Sequence, residues 1–282
     1  PYDETLPNVE IAFKKEQLKN IWKLCFDESD DYVEWFFKTM YTPDNTLCLK
    51  SDGIIESMMM LFKQQYVFCG KRISACFIGG VATLPPFRGE GNITKLMERC
   101  FHITEPMNFD IASLIPVNAS FYTQYGFETV SDIFVYSGNS YNLSGSKKED
   151  DAFAFEPTYG DFCSRFDFYE YRNDKSFSLI CEEAAASENS IYRVPGAYMN
   201  YSIEDGVLNC SEFVYANNSG VLNLLTFIKN NSKKFFIKGD KNLRYFFGTE
   251  IRKEPYMMIK PLRRGLKIKK SDNNFFNMTI WT

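Results

Sequence analysis

Two stretches of this 282-residue chain place reactive and ligand-holding residue types at informative spacings. The first runs Gly79-Gly80-Val81-Ala82-Thr83-Leu84-Pro85-Pro86-Phe87-Arg88-Gly89-Glu90-Gly91-Asn92. Glycines inside a strand weaken it and mark a bulge or the close approach of a ligand. Gly79-Gly80 is therefore expected to part this strand from its neighbour and free backbone groups. A glycine-containing loop then opens a helix, where unpaired amides and the helix dipole favour an anion, and Arg88 adds a full positive charge. Such a segment suits a diphosphate. The second stretch, about thirty residues downstream, is Ile115-Pro116-Val117-Asn118-Ala119-Ser120-Phe121-Tyr122-Thr123-Gln124-Tyr125-Gly126-Phe127. Here a strand ends at Pro116 and a short helix presents Tyr122. A phenol, with a pKa of about 10, is protonated at neutral pH. Taken singly, a turn before a helix also yields R-G-x-G, and a lone Tyr122 reads as a half-polar core residue.

The surrounding pattern supplies the elements that hold these stretches. Residues 15–25 and 31–40 read as two short helices, with Ser29 or Asp30 capping the second. Strands are expected at 47–50, 54–62, 65–69 and 73–84, with a hairpin turn at Gly70-Lys71 and a stop at Pro85-Pro86. Ile93, Leu96, Met97, Cys100 and Phe101 recur at helical spacing. A strand over 110–115, a short helix over 119–125 closed by Gly126, and a strand over 127–137 follow. The polar segment 138–151 reads as a linker. Beyond it, strands are expected at 177–181, 196–203, 207–214 and 234–238 and a helix at 221–229, with 184–188 ambiguous.

Together the two stretches resemble the GNAT acetyltransferase superfamily. The first is similar to its V-x-x-x-P-x-x-R-G-x-G pyrophosphate loop and the second to its F-Y-x-x-x-G-F motif. The run I-P-x-N-x-x-F-Y is similar to the Eis-like branch, in which a second, degenerate GNAT-like unit follows the first. Residues 152–262, ending Tyr256-Met257-Met258-Ile259-Lys260-Pro261-Leu262, resemble that second unit. The resemblance implies a mixed α/β (α+β) fold of two GNAT-like units, a catalytic one at 1–140 and a degenerate one at 152–282. Each would be a mostly antiparallel, centrally splayed sheet flanked by helices. It also implies roles. The backbone of Val81, Ala82 and Thr83 would pair with the pantetheine arm of acetyl-CoA. Arg88, Gly89, Glu90, Gly91, Asn92, Ile93 and Thr94 would wrap its pyrophosphate, Asn118 would lie beside the pantetheine, and Tyr122 would be the general acid. Ile93 departs from the Gly or Ala common in the superfamily, a change the Eis-like branch tolerates. Full-length Eis-like proteins add a sterol-carrier-like domain, whose terminal carboxylate reaches the active site; this chain is expected to lack it.

The implied reaction is direct transfer of acetyl from acetyl-CoA to a primary amine of a small molecule or peptide. Glu56 and Asp110 are candidate bases, each equally an ordinary strand-end charge. The acidic run Asp27-Glu28-Ser29-Asp30-Asp31 would border the acceptor groove or simply cap a helix, with Trp22, Phe26 or Trp35 as an apolar wall. Two other readings stay open: a CoA-binding sensor without turnover, and an acyl or aminoacyl transferase using another donor.

The bulk composition narrows the classes. With 45% hydrophobic and 24% charged residues the chain reads as globular, and a net charge of −4 disfavours nucleic acid. The basic run from Arg263 to Lys270 is too short to change that. No apolar run reaches the ~18 residues of a membrane span and no signal pattern opens the chain, so a cytoplasmic location is expected. Eight cysteines without a C-x-x-C pair predict reduced thiols and no metal. His102, the single histidine, reads as a helix-end residue. Aromatic residues at 17% leave room for an oligomer interface.

Overall fold

The computed structural model describes residues 9–11, 15–145, 153–247 and 250–275. Two helices open the described chain, α1 (Lys15–Cys25) and α2 (Asp30–Thr39). Leu18, Ile21 and Trp22 on α1 and Tyr32, Val33, Phe36 and Phe37 on α2 fall at helical spacing and are buried. Ser29 caps α2 by accepting the Tyr32 amide at 3.2 Å. Of the acidic run, Asp30 pairs with Lys23 at 2.6 Å.

The strands of the first half are β1 (Val9–Ile11), β2 (Thr46–Ser51), β3 (Ile54–Phe68), β4 (Lys71–Thr83), β5 (Ile111–Leu114) and β6 (Glu128–Asn139). The strands expected at 54–62 and 65–69 are one continuous β3, because Lys63 and Gln64 simply continue the alternation against β4. The β3–β4 turn is Cys69-Gly70, with φ of 48° and 76°, one residue earlier than expected. Helix α3 (Asn92–Thr104) follows β4, and the five-residue α4 (Ala119–Thr123) follows β5. His102 lies in the last turn of α3, exposed.

The second half contains α5 (Phe155–Cys163), β7 (Phe168–Glu170), α6 (Asp174–Ala186), β8 (Ser190–Val194), β9 (Ala197–Glu204), β10 (Val207–Tyr215), α7 (Asn218–Asn231), β11 (Lys234–Gly239), α8 (Arg244–Phe247), β12 (Glu250–Pro261) and β13 (Asn274–Phe275). The strand expected at 177–181 is instead the middle of α6. The run Phe-Ser-Leu-Ile-Cys has strand character locally. However, Asn173 and Ser176 form a reciprocal capping box, and Phe177, Ile180 and Ala184 bury one helical face.

All these strands join one sheet, ordered β1-β2-β3-β4-β5-β12-β6-β11-β10-β9-β8, with β7 bridging β3 and β13 at one side. Most neighbours are antiparallel; β4–β5, β10–β11 and β7–β13 are parallel. β12, from the end of the chain, inserts between β5 and β6, and β6 also flanks β11. The halves thus share strands as well as side chains. The segment 138–151 begins as strand through Asn139, and residues 146–151 lie outside the described ones, as does Thr282. One core cluster packs α1 and α2 on the first half of the sheet, a second packs α3 on the opposite face, and a third fills the second half.

Charge ties the tail to the first half. Asp110, just before β5, accepts the Ser74 amide at 2.8 Å and its hydroxyl at 3.0 Å, and pairs with Arg263 at 3.1 Å. Lys270 pairs with Asp132 at 2.8 Å. Burial alone would raise the Asp110 carboxyl, but the Ser74 and Arg263 contacts outweigh it and hold it below the usual range. A depressed carboxylate stabilises the fold above its unfolded pKa, and that contribution disappears as pH falls through the folded value. Asp110→Asn is therefore expected to cost about 1–2 kcal/mol at pH 7 and much less near pH 2, read as urea midpoints at both pH values.

Candidate active site

The decisive local event is a bulge in β4. Met58 faces Ala82 while Met60 faces Gly79, so Gly80 and Val81 oppose the single residue Met59. Gly80 adopts φ +55°, and a Cβ there would lie 2.9 Å from the Trp22 ring. Both facts require glycine. On the other edge, β4 pairs with β5 only from Ala75 to Phe77, so from Ile78 onward the parallel strands part. The splayed strand expected from Gly79-Gly80 is present.

The loop after β4 turns through Gly89 and Gly91, with φ of +84° and +76°, and Gly91 occupies the N-cap position of α3 with no side chain capping it. The Arg88 amide donates to Pro85 and the Lys95 amide to Gly91. Between them, the amides of Gly89, Glu90, Gly91, Asn92, Ile93 and Thr94 donate to no acceptor among the described residues. The helix that links the parallel strands β10 and β11 differs: Asn217 caps α7, its side chain accepting the Gly220 amide at 2.9 Å.

A buried carboxylate holds the amide-rich loop in place. Glu56 accepts from the Asn92 side-chain amide at 3.2 Å and from the Ser51 hydroxyl, while the Leu84 amide donates to its carbonyl at 2.9 Å. Glu56 is thus an anchor for the start of α3 and does not line the cavity beside it. Asp110 sits at the opposite end of β5 from that cavity.

The cavity, of about 560 Å³, has walls from β4 (Val81, Ala82, Thr83), the loop and α3 (Phe87, Arg88, Gly89, Gly91, Asn92, Ile93, Thr94), the α1 end (Cys25, Phe26) and the α4 region (Val117, Phe121, Tyr122, Gln124, Tyr125). Its size is that of a ligand site. Of the residues assigned to cofactor binding and proton donation, all but Glu90 and Asn118 line it. Asn118 caps α4, accepting the Ser120 amide at 3.1 Å and its hydroxyl at 2.7 Å. Phe26 lines the cavity, whereas Trp22 is buried in the core and Trp35 reaches Glu182 at 3.5 Å. Arg88 stands exposed on the rim, donating Nε–H to the Thr83 carbonyl at 3.1 Å.

Tyr122 is half-buried, packed edge-on against Phe121 and Phe127. Its burial, and then the neighbouring Tyr125, push the phenol above the ordinary tyrosine range. Tyr125 hydrogen-bonds the Thr94 hydroxyl at 2.8 Å and so ties α4 to the first turn of α3. The sequence reading passed over Tyr125 and Cys25. The i, i+3 spacing from Tyr122 was a usable signal for Tyr125; Cys25 carried none.

Residues 12–130 match the model of the acetyltransferase (GNAT) domain. That stretch is similar to a GNAT acetyltransferase domain. The whole fold agrees. A GCN5-related N-acetyltransferase from Anabaena variabilis superposes with a TM-score of 0.71 at 17% identity, covering 90% of this chain and 72% of that one. Eis1 from Mycobacterium abscessus gives 0.65 at 14% identity, over 91% and 74% of the two chains. N-myristoyltransferase from Saccharomyces cerevisiae, with bound myristoyl-CoA, gives 0.58 at 11%, over 92% and 86%. The mixed α/β architecture is thus that of GNAT folds, and the Eis-like motifs are matched by an Eis-like fold over both halves of the chain. No curated protein sequence matches. Among the described residues, no helix is long and apolar enough to cross a membrane and no group of side chains could hold a metal.

The bulge and the anchor have separate tests. Gly80→Ala is expected to destabilise the chain by about 1–3 kcal/mol, through a left-handed backbone and a collision with Trp22. Asn92→Leu, which strips Glu56 of a donor, is expected to cost about 1–3 kcal/mol. Denaturant midpoints at constant m-value check both.

Proposed function

We propose that this chain is an N-acetyltransferase that moves acetyl from acetyl-CoA to a primary amine in a ternary complex. The observation that carries the reading is the run of undonated amides from Gly89 to Thr94 on the wall of a cavity that also contains the Tyr122 phenol. The amides and the α3 dipole suit a diphosphate. The bulged edge at Val81 offers backbone groups to an extended amide-bearing arm. Myristoyl-CoA in the yeast neighbour is consistent with a CoA thioester donor on this fold.

The neutral amine nitrogen attacks the thioester carbonyl carbon, a C–N bond forms, and the C–S bond breaks. The Val81 region of β4, bulged against β3 and unpaired on the β5 side, supplies backbone donors for the negative charge that develops on oxygen. The departing thiolate takes the Tyr122 proton, and the nitrogen releases its surplus proton to water. A thiol titrates at about 8.5, below any tyrosine, so the phenol waits protonated. Residues 1–140 would house this chemistry. Residues 152–282, whose corresponding helix is capped by Asn217, would bind no CoA and would wall the acceptor side.

The test is thiol release from acetyl-CoA across primary amines, with mass detection of the acetylated product. Tyr122→Phe is expected to lower kcat by about a hundredfold or more while leaving the acetyl-CoA KM within about twofold. Release with no acceptor acetylated, or an unimpaired Tyr122→Phe variant, contradicts the reading. The raised phenol also sets a pH profile. A protonated acid with an elevated pKa stays competent to higher pH, so the rate is expected to rise as the amine deprotonates and not to fall below pH about 10.

A further inference from the structure

On the far side of the loop after α1 lies a second cavity, of about 370 Å³, formed where α2 meets α6 and the β9–β11 strands. It is lined by Glu28 and Tyr32 from the first half and by Glu183, Asn200 and Lys238 from the second, with Tyr256 of β12. Glu183 and Asn200 are more than nine-tenths buried, at 9% and 3% exposure. Glu183 Oε1 accepts from the Tyr32 hydroxyl at 3.5 Å. Its Oε2, and Asn200 Oδ1, are buried with no hydrogen-bond partner among the described residues. Buried acceptors left without donors cost free energy, so each points to a donor outside the protein.

The charge around the cavity points the same way. Behind it, Glu170 and Glu212 share one guanidinium, Arg172, at 2.9 and 2.6 Å. That leaves Glu183 without a cation of its own. Burial first, and then Glu28, raise the Glu183 carboxyl well above its ordinary range. Lys238 lies at the exposed rim, and no ion pair joins it to Glu28 or Glu183 among the described residues. The missing partner is a compact group with several N–H donors and a positive charge.

The position ties this cavity to the reaction. Cys25 and Phe26 line the first cavity, and Glu28 and Tyr32 line the second. Phe26 and Glu28 are two residues apart, about 7 Å at most along the chain. Both cavities are thus lined from the one loop.

We propose that the Glu183–Asn200 cavity is an ammonium subsite that holds the non-reacting end of a diamine acceptor while its other amine is acetylated. This rests on the amine-transfer reading above for which end reacts. The second half of the chain then selects the acceptor: Glu183 Oε2 and Asn200 Oδ1 accept N–H donors, Glu28 adds charge, and the Phe26 side lines the passage.

Calorimetry on the full chain with 1,5-diaminopentane and with pentylamine, which differ only in the second amine, tests this. The diamine is expected to bind at least about tenfold tighter. Glu183→Gln, which keeps the side chain's shape and an oxygen to accept from Tyr32, is expected to abolish that preference with a thermal midpoint close to the parent's. Equal affinities, no diamine binding, or a preference that survives Glu183→Gln overturns the subsite. Thiol release with the same two amines separates the two claims. Turnover of both amines at equal KM sinks the subsite and leaves acetyl transfer standing. Diamine binding without thiol release sinks acetyl transfer and leaves the subsite standing.

Discussion

The candidate site depends on a backbone constraint: a helix entrance whose amides have no acceptor among the described residues. Helices normally meet that need with a capping side chain, as Asn217 does for α7. At α3 the cap position is Gly91, in a left-handed conformation and without an acceptor. Such an arrangement is tolerable only where solvent or a ligand supplies the acceptors. It persists because the loop is held from behind, with Asn92 fixed on buried Glu56. A carboxylate that looked available for proton transfer is instead spent on geometry.

The bulge at Gly80-Val81 is the second part of the same device. It bends β4 away from β5, so the cavity opens between two strands that are neighbours at Ala75–Phe77. The glycine is required from both sides, by its positive φ and by Trp22 packed against it. Trp22 lies among Phe26, Phe36 and Phe37, so the aromatic core under α1 and α2 sets the shape of the strand above it. Core packing and site geometry are here one structural fact.

Much of this was legible in the chain. Pro and Gly punctuation located the β4 stop and the loop, and the 3.6-residue period of Leu96, Met97 and Cys100 marked α3, whereas α4 ends at Thr123, two residues short of its expected bound. The strand order was not legible, because β12 reaches β5 from about 140 residues away and no local pattern encodes such a pairing. Phe177–Cys181 was misread because a short apolar run carries no reliable period; the Asn173–Ser176 capping box was the better signal. The anchoring role of Glu56 was out of reach for a different reason. A carboxylate's job depends on which donors surround it, and those come from Ser51 and from Asn92, on another element. The acidic run was half-legible: Ser29 caps α2 as its type suggests, whereas Glu28 meets Glu183 only through tertiary packing.

The central claim is that the open amides of residues 89–94 bind a diphosphate. Its most direct measurement compares the affinity of the chain for CoA with that for pantetheine, which keeps the thiol arm and lacks the diphosphate. Charge-assisted bonds to several amides predict a loss of at least about a hundredfold on removing it. Equal affinity for the two would place the binding energy elsewhere and contradict the account.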